Sequence, residues 1–330
     1  FYAGWGLTED EFPVQRRQRS LTRAQIFAAA MILYPTWYDP HRDRLCDLET
    51  TIEALAATTR AWREDHRGWA ASGMSLWKRG PLQRFFGSWS PMVFADDPAR
   101  ARNNGKAWMV WATKAKIGHG DAVRVEDGFL RSRGLGADLI PPLSLVCDDL
   151  GIYYDPHQPS RLEKWIETRS RLRPDQSRRA ERLIETLRST GLSKYNLGGA
   201  VTLDGLPEGR RILVPGQVED DASIQAGTDH ISTNLDLLQA ARDANPDAVI
   251  LYKPHPDVET GLRLGMVDAT GLADRVLTQA DPISLLADVD EVWTMTSLLG
   301  FEALVRGVHV VTLGAPFYAG WGLTDDRGDV

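Results

Sequence analysis

Hydrophobic positions change their period along the chain, and the change divides it. In the first part they recur at helical spacing: Leu48, Ile52, Leu55, Thr59 and Trp62 follow at intervals of four and three and predict one stripe on a helix. Residues 20–33 predict an earlier helix, entered through Ser20 or Thr22 as N-cap. The stretch GMSLWKRGPLQRFFGSWSP (73–91) interleaves Gly, Pro and Ser with aromatics and keeps no period, so it reads as a linker ending in a boundary near residue 90.

Beyond it, short apolar runs alternate with helical ones. AWMVWA (107–112), AVRVED (122–127) and SLVCDD (144–149) precede a polar helical region over 160–190, whose stripe of Leu183, Ile184 and Leu187 ends at Gly191, a natural C′ residue. A second series runs through RRILVPGQ (210–217), a helix from about Thr233, AVILYKPHP (248–256), EVWTM (291–295), a helix from Ser297, and HVVTLG (309–314). This alternation predicts an α/β protein: two successive halves form two facing Rossmann-like lobes with parallel sheets, preceded by an N-terminal helical segment. A ligand belongs in the cleft between them, outside the carboxyl ends of the strands.

The composition is that of a globular chain, with 43% hydrophobic and 25% charged residues among 330, which excludes a disordered tail, a collagen-like fibre and a miniature disulfide scaffold. With 45 acidic against 38 basic residues, the net charge of −7 argues against a nucleic-acid partner. Cys46 and Cys147 stand too far apart for a metal finger and read as structural thiols. The longest apolar run, Ile26 to Tyr34, is far short of the roughly 20 residues a membrane span needs. The first residues lack the basic-then-apolar pattern of a signal peptide, so the protein is expected to be soluble or peripheral.

FYAGWGLTED at 1–10 returns as FYAGWGLTDD at 317–326, so nearly the whole chain lies between two copies of one motif. That is the mark of one period in a tandem of modules. The chain is then expected to begin in the tail of one module and to stop inside the tail of the next, as a fragment or a permuted unit.

Candidate chemistry gathers at strand ends. YKPHP carries Lys253, His255 and Pro256 off the strand AVILY, and a proline on each side of His255 stiffens the backbone that presents the imidazole. EVWTM runs into Thr296 and Ser297 and at once into the helix LLGFEALVRG, whose free N–H groups suit a phosphate and whose Glu302 suits ribose hydroxyls. QVEDDAS (217–223) adds Gln217 and Asp221 to the same rim. In the first lobe EDGFLRSRGLG (126–136) brings Glu126, Asp127, Arg131 and Arg133 to a strand end. If the strand continues through them, Glu126 and Asp127 face opposite sides and at most one enters the cleft. A carboxylate facing a bound nucleotide is what glycosyl transfer needs, as nucleophile or base. Arg131 and Arg133 are expected to pair with an anionic acceptor, a sugar carboxylate, or Asp127. Metal binding is not expected: the seven histidines have no ligand spacing, and Asp288-Val289-Asp290 precedes a strand instead of following one.

VEDGFLRSRGLGADLIPPLSLVCDDLGIYYD, GLSKYNLG, LVPGQVEDDAS, YKPHPDVE, TMTSLLGFEALVRG and GAPFYAGWGLTDD together resemble the capsular polysaccharide β-Kdo transferases of Gram-negative bacteria, the KpsC type. That family carries two homologous modules in tandem, each similar to a GT-B fold. The resemblance implies domains over 1–90 (helical tail of an upstream module and linker), 91–205 (acceptor-side lobe) and 206–330 (lobe for the CMP-sugar). It implies transfer of 3-deoxy-D-manno-oct-2-ulosonic acid (Kdo) from CMP-β-Kdo, with retention and without metal or cofactor, to a Kdo-bearing lipid of the phosphatidylglycerol type. The expected setting is the cytoplasm, peripheral at the inner membrane, beside an upstream transferase module. His255 and Pro256 match the family's His-Pro motif for CMP, Thr296 and Ser297 its hydroxyl pair near the phosphate, and Glu302 its ribose position. The EDGF carboxylate matches its catalytic position, Asp127 being preferred to Glu126. Two readings compete: a different nucleotide-sugar transferase or epimerase using UDP, and a non-catalytic capsule-assembly module.

Overall fold

The computed structural model describes residues 17, 19–103, 105–136, 138–199 and 202–328. The first FYAGWGLTED copy lies outside the described residues. The chain divides between Arg67 and Gly68 into two compact units.

In the smaller unit, Thr22 caps a short helix α1 (Arg23–Phe27): its hydroxyl accepts from the Gln25 N–H while Gln25 Oε1 accepts from the Thr22 N–H. The helix widens into a π turn over Ala28–Leu33. An antiparallel hairpin of β1 (Trp37–Asp39) and β2 (Arg44–Cys46) leads to α2 (Leu48–Asp65), capped by Asp47. The predicted stripe lies on α2, yet only Leu48 is buried, while Ile52, Leu55 and Trp62 are 47–60% exposed. Periodicity places residues on one face of a helix; it does not say what covers that face.

The larger unit holds two sheets. The first has β3 (Trp69–Ser72), α3 (Leu76–Phe86), β4 (Val93–Phe94), α4 (Pro98–Arg102), β5 (Ala107–Trp111), β6 (Val123–Asp127) and β7 (Leu145–Asp148). Its order is β4-β3-β5-β6-β7, parallel except for the β6–β7 pair. Two expectations need correction. The supposed linker is strand-flanked helix: α3 carries Pro81 and Leu82 into the core, and β3 is an inner strand, so this lobe starts at Gly68 and not near residue 90. The sequence signal was weak because WAAS is short and small-residued, and inner strands buried on both faces need no alternation. The run SLVCDD is a strand as predicted, but it returns antiparallel to β6.

The polar region is two helices, α5 (Arg161–Thr168) and α6 (Pro174–Thr190), because Pro174 occupies the first turn of a new helix. Gly191 ends α6 in the left-handed conformation, φ 65°, as its position predicts. The second sheet follows: β8 (Arg211–Pro215), α7 (Ala222–Gly227), α8 (Asn234–Ala244), β9 (Val249–Lys253), α9 (Pro256–Glu259), β10 (Arg275–Val276), α10 (Pro282–Leu286), β11 (Glu291–Thr294), α11 (Leu298–Arg306), β12 (His309–Thr312) and β13 (Asp325–Asp326). Its order is β10-β9-β8-β11-β12-β13, all parallel. Leu213, Leu251, Val292 and Val310 pack one face, and Ile212, Ile250, Trp293 and Val311 the other, which is why these strands read as unbroken apolar runs.

Two facing α/β lobes of this kind make a GT-B-like fold. An aromatic cluster joins them: Phe129 stacks on Phe317 at 4.9 Å, and Tyr153 meets both rings edge-on. The segment after Gly191 adds polar links, for the Lys194 carbonyl accepts from the N–H groups of Arg131 and Ser132 while its own N–H donates to Glu302 Oε1 at 2.8 Å. In each sheet the strand order reverses once, between β3 and β5 in the first and between β8 and β11 in the second. A crevice opens at such a point because the connections on either side leave in opposite directions.

Candidate active site

A cleft of about 380 Å³ lies where the carboxyl ends of the two sheets meet. From the second lobe it is lined by Gln217, Lys253, His255, Pro256, Thr296, Ser297 and Glu302, and from the first by Glu126 and Asp127. All nine were expected at the site.

Gln217, just past β8, ties its own strand end to that of β11. Its carbonyl accepts from the Thr296 N–H at 3.0 Å and its amide donates to Thr296 Oγ1 at 3.0 Å. The Gln217 backbone is clamped by buried Asn234, which accepts from its N–H and donates to its carbonyl, both at 2.8 Å. Ser297 caps α11, its hydroxyl accepting from the Leu299 N–H, and its own N–H donates to Thr294 Oγ1. The Tyr318 hydroxyl donates to the Ser297 carbonyl. That contact requires Gly300, since a Cβ there would lie 2.2 Å from the Tyr318 oxygen.

His255 caps α9: its Nδ1 accepts from the Asp257 N–H at 3.1 Å, so in the neutral ring the proton sits on Nε2. Burial, with Lys194 and Lys253 nearby, pushes the imidazole down to about 4, so at neutral pH it is an uncharged donor. Lys253 is buried, donates to the Pro254 carbonyl, and is shifted downward by desolvation. Burial likewise lifts Glu302 to about 7, against the backbone N–H of Lys194 that favours its charged form.

Both carboxylates of β6 reach the cleft, which corrects the expectation that at most one would. Asp127 is the last residue of the strand, and the Glu126 carboxylate curls back to accept the Asp127 N–H at 3.0 Å, so alternation ends there. Arg131 Nε donates to Asp127 Oδ2 at 2.8 Å, while the buried Oδ1 has no hydrogen-bond partner. Glu126 is lifted to about 7, first by desolvation, and Asp127 adds to the rise. The pair therefore combines a carboxylate held by a guanidinium with one that exchanges protons near neutrality.

Neither Arg131 nor Arg133 lines the cleft; of the partners expected for them, Arg131 takes Asp127. Arg131 is 1% exposed and turned to Asp127 and Ser132, and Arg133 is exposed outside the residues that line the cleft. Asp221 lines the cleft as the cap of α7. Residues that motif reading passed over include Ser193, Lys194, Tyr153 and Phe317. GLSKYNLG follows a helix and not a strand, which hid Lys194. Phe317 had a signal, for it opens the repeated motif, and that motif is built into the cleft wall.

A family model described as capsule polysaccharide biosynthesis protein matches residues 102–198 and 199–329. The chain belongs to that family. Its first matched block carries Glu126, Asp127 and Lys194, and its second carries His255, Ser297 and Glu302, so the cleft lies between the two blocks. The chain is 43% identical to the capsule polysaccharide modification protein LipA of Neisseria meningitidis serogroup B, over 99% of its own length and 49% of that protein. It thus spans about half the length of the Neisseria relatives it matches. It is 41% identical to the lipopolysaccharide-processing protein LpsZ of Rhizobium meliloti, over 83% of this chain and 68% of that one. Among solved structures it resembles the beta Kdo 2,4 transferase of Thermosulfurimonas dismutans KpsC, with TM-score 0.68 and 33% identity over 78% of this chain and 83% of that chain. The beta Kdo 2,7 transferase of the same KpsC gives TM-score 0.62 and 35% identity over 78% and 82%. This family member is of the KpsC type. Among its described residues no helix is long and apolar enough to cross a membrane.

Proposed function

We propose that the protein is a retaining Kdo transferase that uses CMP-β-Kdo and extends a Kdo-bearing lipid acceptor at the membrane surface, without a metal. The observation that carries this reading is the meeting of two unlike half-sites in one cleft: two carboxylates from the first sheet and, from the second, a neutral imidazole donor beside the hydroxyl-rich start of α11. The N-terminus of α11 with Thr296 and Ser297 suits the phosphate of CMP, His255 Nε2–H a second oxygen of the nucleotide, and Glu302 the ribose.

Asp127 Oδ1 attacks the anomeric carbon of the donor; the bond from that carbon to the phosphate oxygen breaks, and CMP leaves with the electron pair. Arg131 fixes the other oxygen and so aims the nucleophile. In the second step the acceptor hydroxyl attacks the same carbon, the carbon–Asp127 bond breaks, and the hydroxyl proton passes to Glu126. Mass spectrometry after incubation with CMP-β-Kdo and a synthetic Kdo-lipid tests the reading. Product heavier by one Kdo, undiminished by EDTA, and a brief adduct on the peptide containing Asp127 are expected. Transfer from a UDP-sugar instead, or a protein that binds CMP but never transfers, would overturn it.

A further inference from the structure

The first sheet has a switch point of its own, and it is not the cleft described above. There the β3–α3 turn, Ser72 to Ser75, faces the segment Thr113 to Lys116 beyond β5, and a second crevice opens between them. Trp111 and Thr113 line both this crevice and the active-site cleft, so the two share a wall. Three lysines line it: Lys78, Lys114 and Lys116. Among the described residues none of them has a carboxylate within ion-pair distance. Lys78 Nζ sits over the Trp111 ring, 3.0 Å from its centroid, and its charge is felt by both Asp127 and Glu126. Asp96 is the one carboxylate on the crevice wall among the described residues; its side chain is 76% exposed, with Arg79 at 3.7 Å.

Ser72 and His119 at the base are structural. The Lys116 N–H donates to His119 Nδ1, so Nε2 carries the ring proton and donates to Ser72 Oγ, whose own proton goes to the Asp96 carbonyl at 3.2 Å. No lone pair of the imidazole is left to activate the serine, which argues against a hydrolytic pair and for a braced floor. What the crevice offers a ligand is therefore positive charge on a rigid base, one tryptophan away from two carboxylates.

We infer that this crevice binds the carboxylate of the acceptor's acidic sugar while the acceptor hydroxyl is presented to Glu126 and Asp127. The inference rests on the transferase reading. An anionic acceptor approaching the first lobe would be repelled by the Glu126–Asp127 pair, and with Arg131 committed to Asp127 these lysines take the role first expected of Arg131 and Arg133.

The test is direct binding by calorimetry, with three probes: a β-linked Kdo oligosaccharide free of lipid, its carboxyl-reduced neutral analogue, and phosphatidylglycerol vesicles. Lys114 and Lys116 are exposed, so K114E/K116E should fold, and Lys78→Met keeps the alkyl stem on Trp111 while removing the charge. The oligosaccharide is expected to bind the native protein and to lose at least tenfold in affinity with either variant, and equally when its carboxylates are reduced. Vesicle binding should be unchanged. Absent oligosaccharide binding, unaltered affinity in both variants, equal binding of the neutral analogue, or loss of vesicle binding in place of sugar binding would each overturn the assignment. A CMP titration of the same preparation keeps the two claims apart: failure of the native protein to bind CMP sinks the transferase reading, whereas intact CMP binding with unaltered sugar affinity sinks only this one.

Discussion

The two lobes meet the same geometric problem and answer it with different chemistry. Each sheet reverses its strand order once, and each leaves a crevice at the carboxyl ends of the strands that flank the reversal. In the second lobe that crevice is lined by Gln217, Thr296 and Ser297, with the neutral His255 beside it: hydroxyls, amides and helix N–H groups, whose polarity is fixed by hydrogen bonds to one another. In the first lobe it is lined by lysines without carboxylate partners among the described residues. Polar groups already bonded to one another can read the shape and charge of a nucleotide. Unpaired ammonium groups recognise an anion and little else, at longer range. The carboxylates proposed to carry the reaction, Glu126 and Asp127, stand between the two crevices, where the strand end of β6 places them.

The sharpest way to break this comparison is at the point between the crevices. Asp127→Asn is expected to reduce transfer by about three orders of magnitude or more while leaving CMP affinity within about twofold, because the amide keeps the shape and loses the nucleophile. Calorimetry beside a transfer assay would show it, and near-full turnover would shift the role to Glu126. Glu126→Gln should lower turnover by about 10²-fold, the usual worth of a general base. Since that base acts deprotonated, native activity should climb as pH rises through about 7, and the variant's profile should lack that limb.

His255→Ala probes the second lobe alone. Losing its Nε2–H should weaken CMP binding by about 1–3 kcal/mol, the cost of a hydrogen bond to a charged group, and should leave acidic-sugar binding as it was. Equal weakening of both ligands would merge the two crevices into one site. Gly300→Ala pushes a methyl at the Tyr318 oxygen, and by overpacking should cost about 1–3 kcal/mol of stability, read as a lower melting temperature.

A smaller effect is expected from Glu302→Gln. The folded-state value of Glu302 is raised from 4.5 to about 7, so its contribution to stability is present below about 4.5 and is lost as pH rises through 7. The glutamine carbonyl can still accept the Lys194 N–H, so the variant escapes that loss. The melting-temperature difference, variant minus native, should grow by a few degrees between pH 5 and pH 8; a flat difference would mean that Glu302 titrates as it would in open water. Arg133→Ala should change neither donor nor acceptor binding, since Arg133 is exposed and outside both crevices.

Much of this molecule was legible in its residues. Thr22, Thr233, Ser297 and Gly191 cap helices where their types and positions predict, and the apolar runs of the second sheet are strands. Caps and periodicities are local properties, settled by neighbours within four residues. The position of the second-lobe candidates in the cleft was legible for a related reason: a residue just past a parallel strand is at the sheet's binding edge whatever the rest of the chain does.

What only the tertiary structure decided depends on partners distant in sequence. The small-residue run of β3 becomes an inner strand because β4 and β5 pair with it on either side. Arg131 pairs with Asp127 because the chain turns sharply after β6 and then buries its guanidinium. Lys194 enters the cleft because its backbone bridges Arg131 and Glu302, 108 positions from the latter. Lys78 and Lys114 stand on segments that sequence separates, and only the pairing of β3 with β5 brings them to one crevice. A local pattern specifies a strand's end; which other end faces it is set by sheet order and chain return, and those are decided by the packing of the whole lobe.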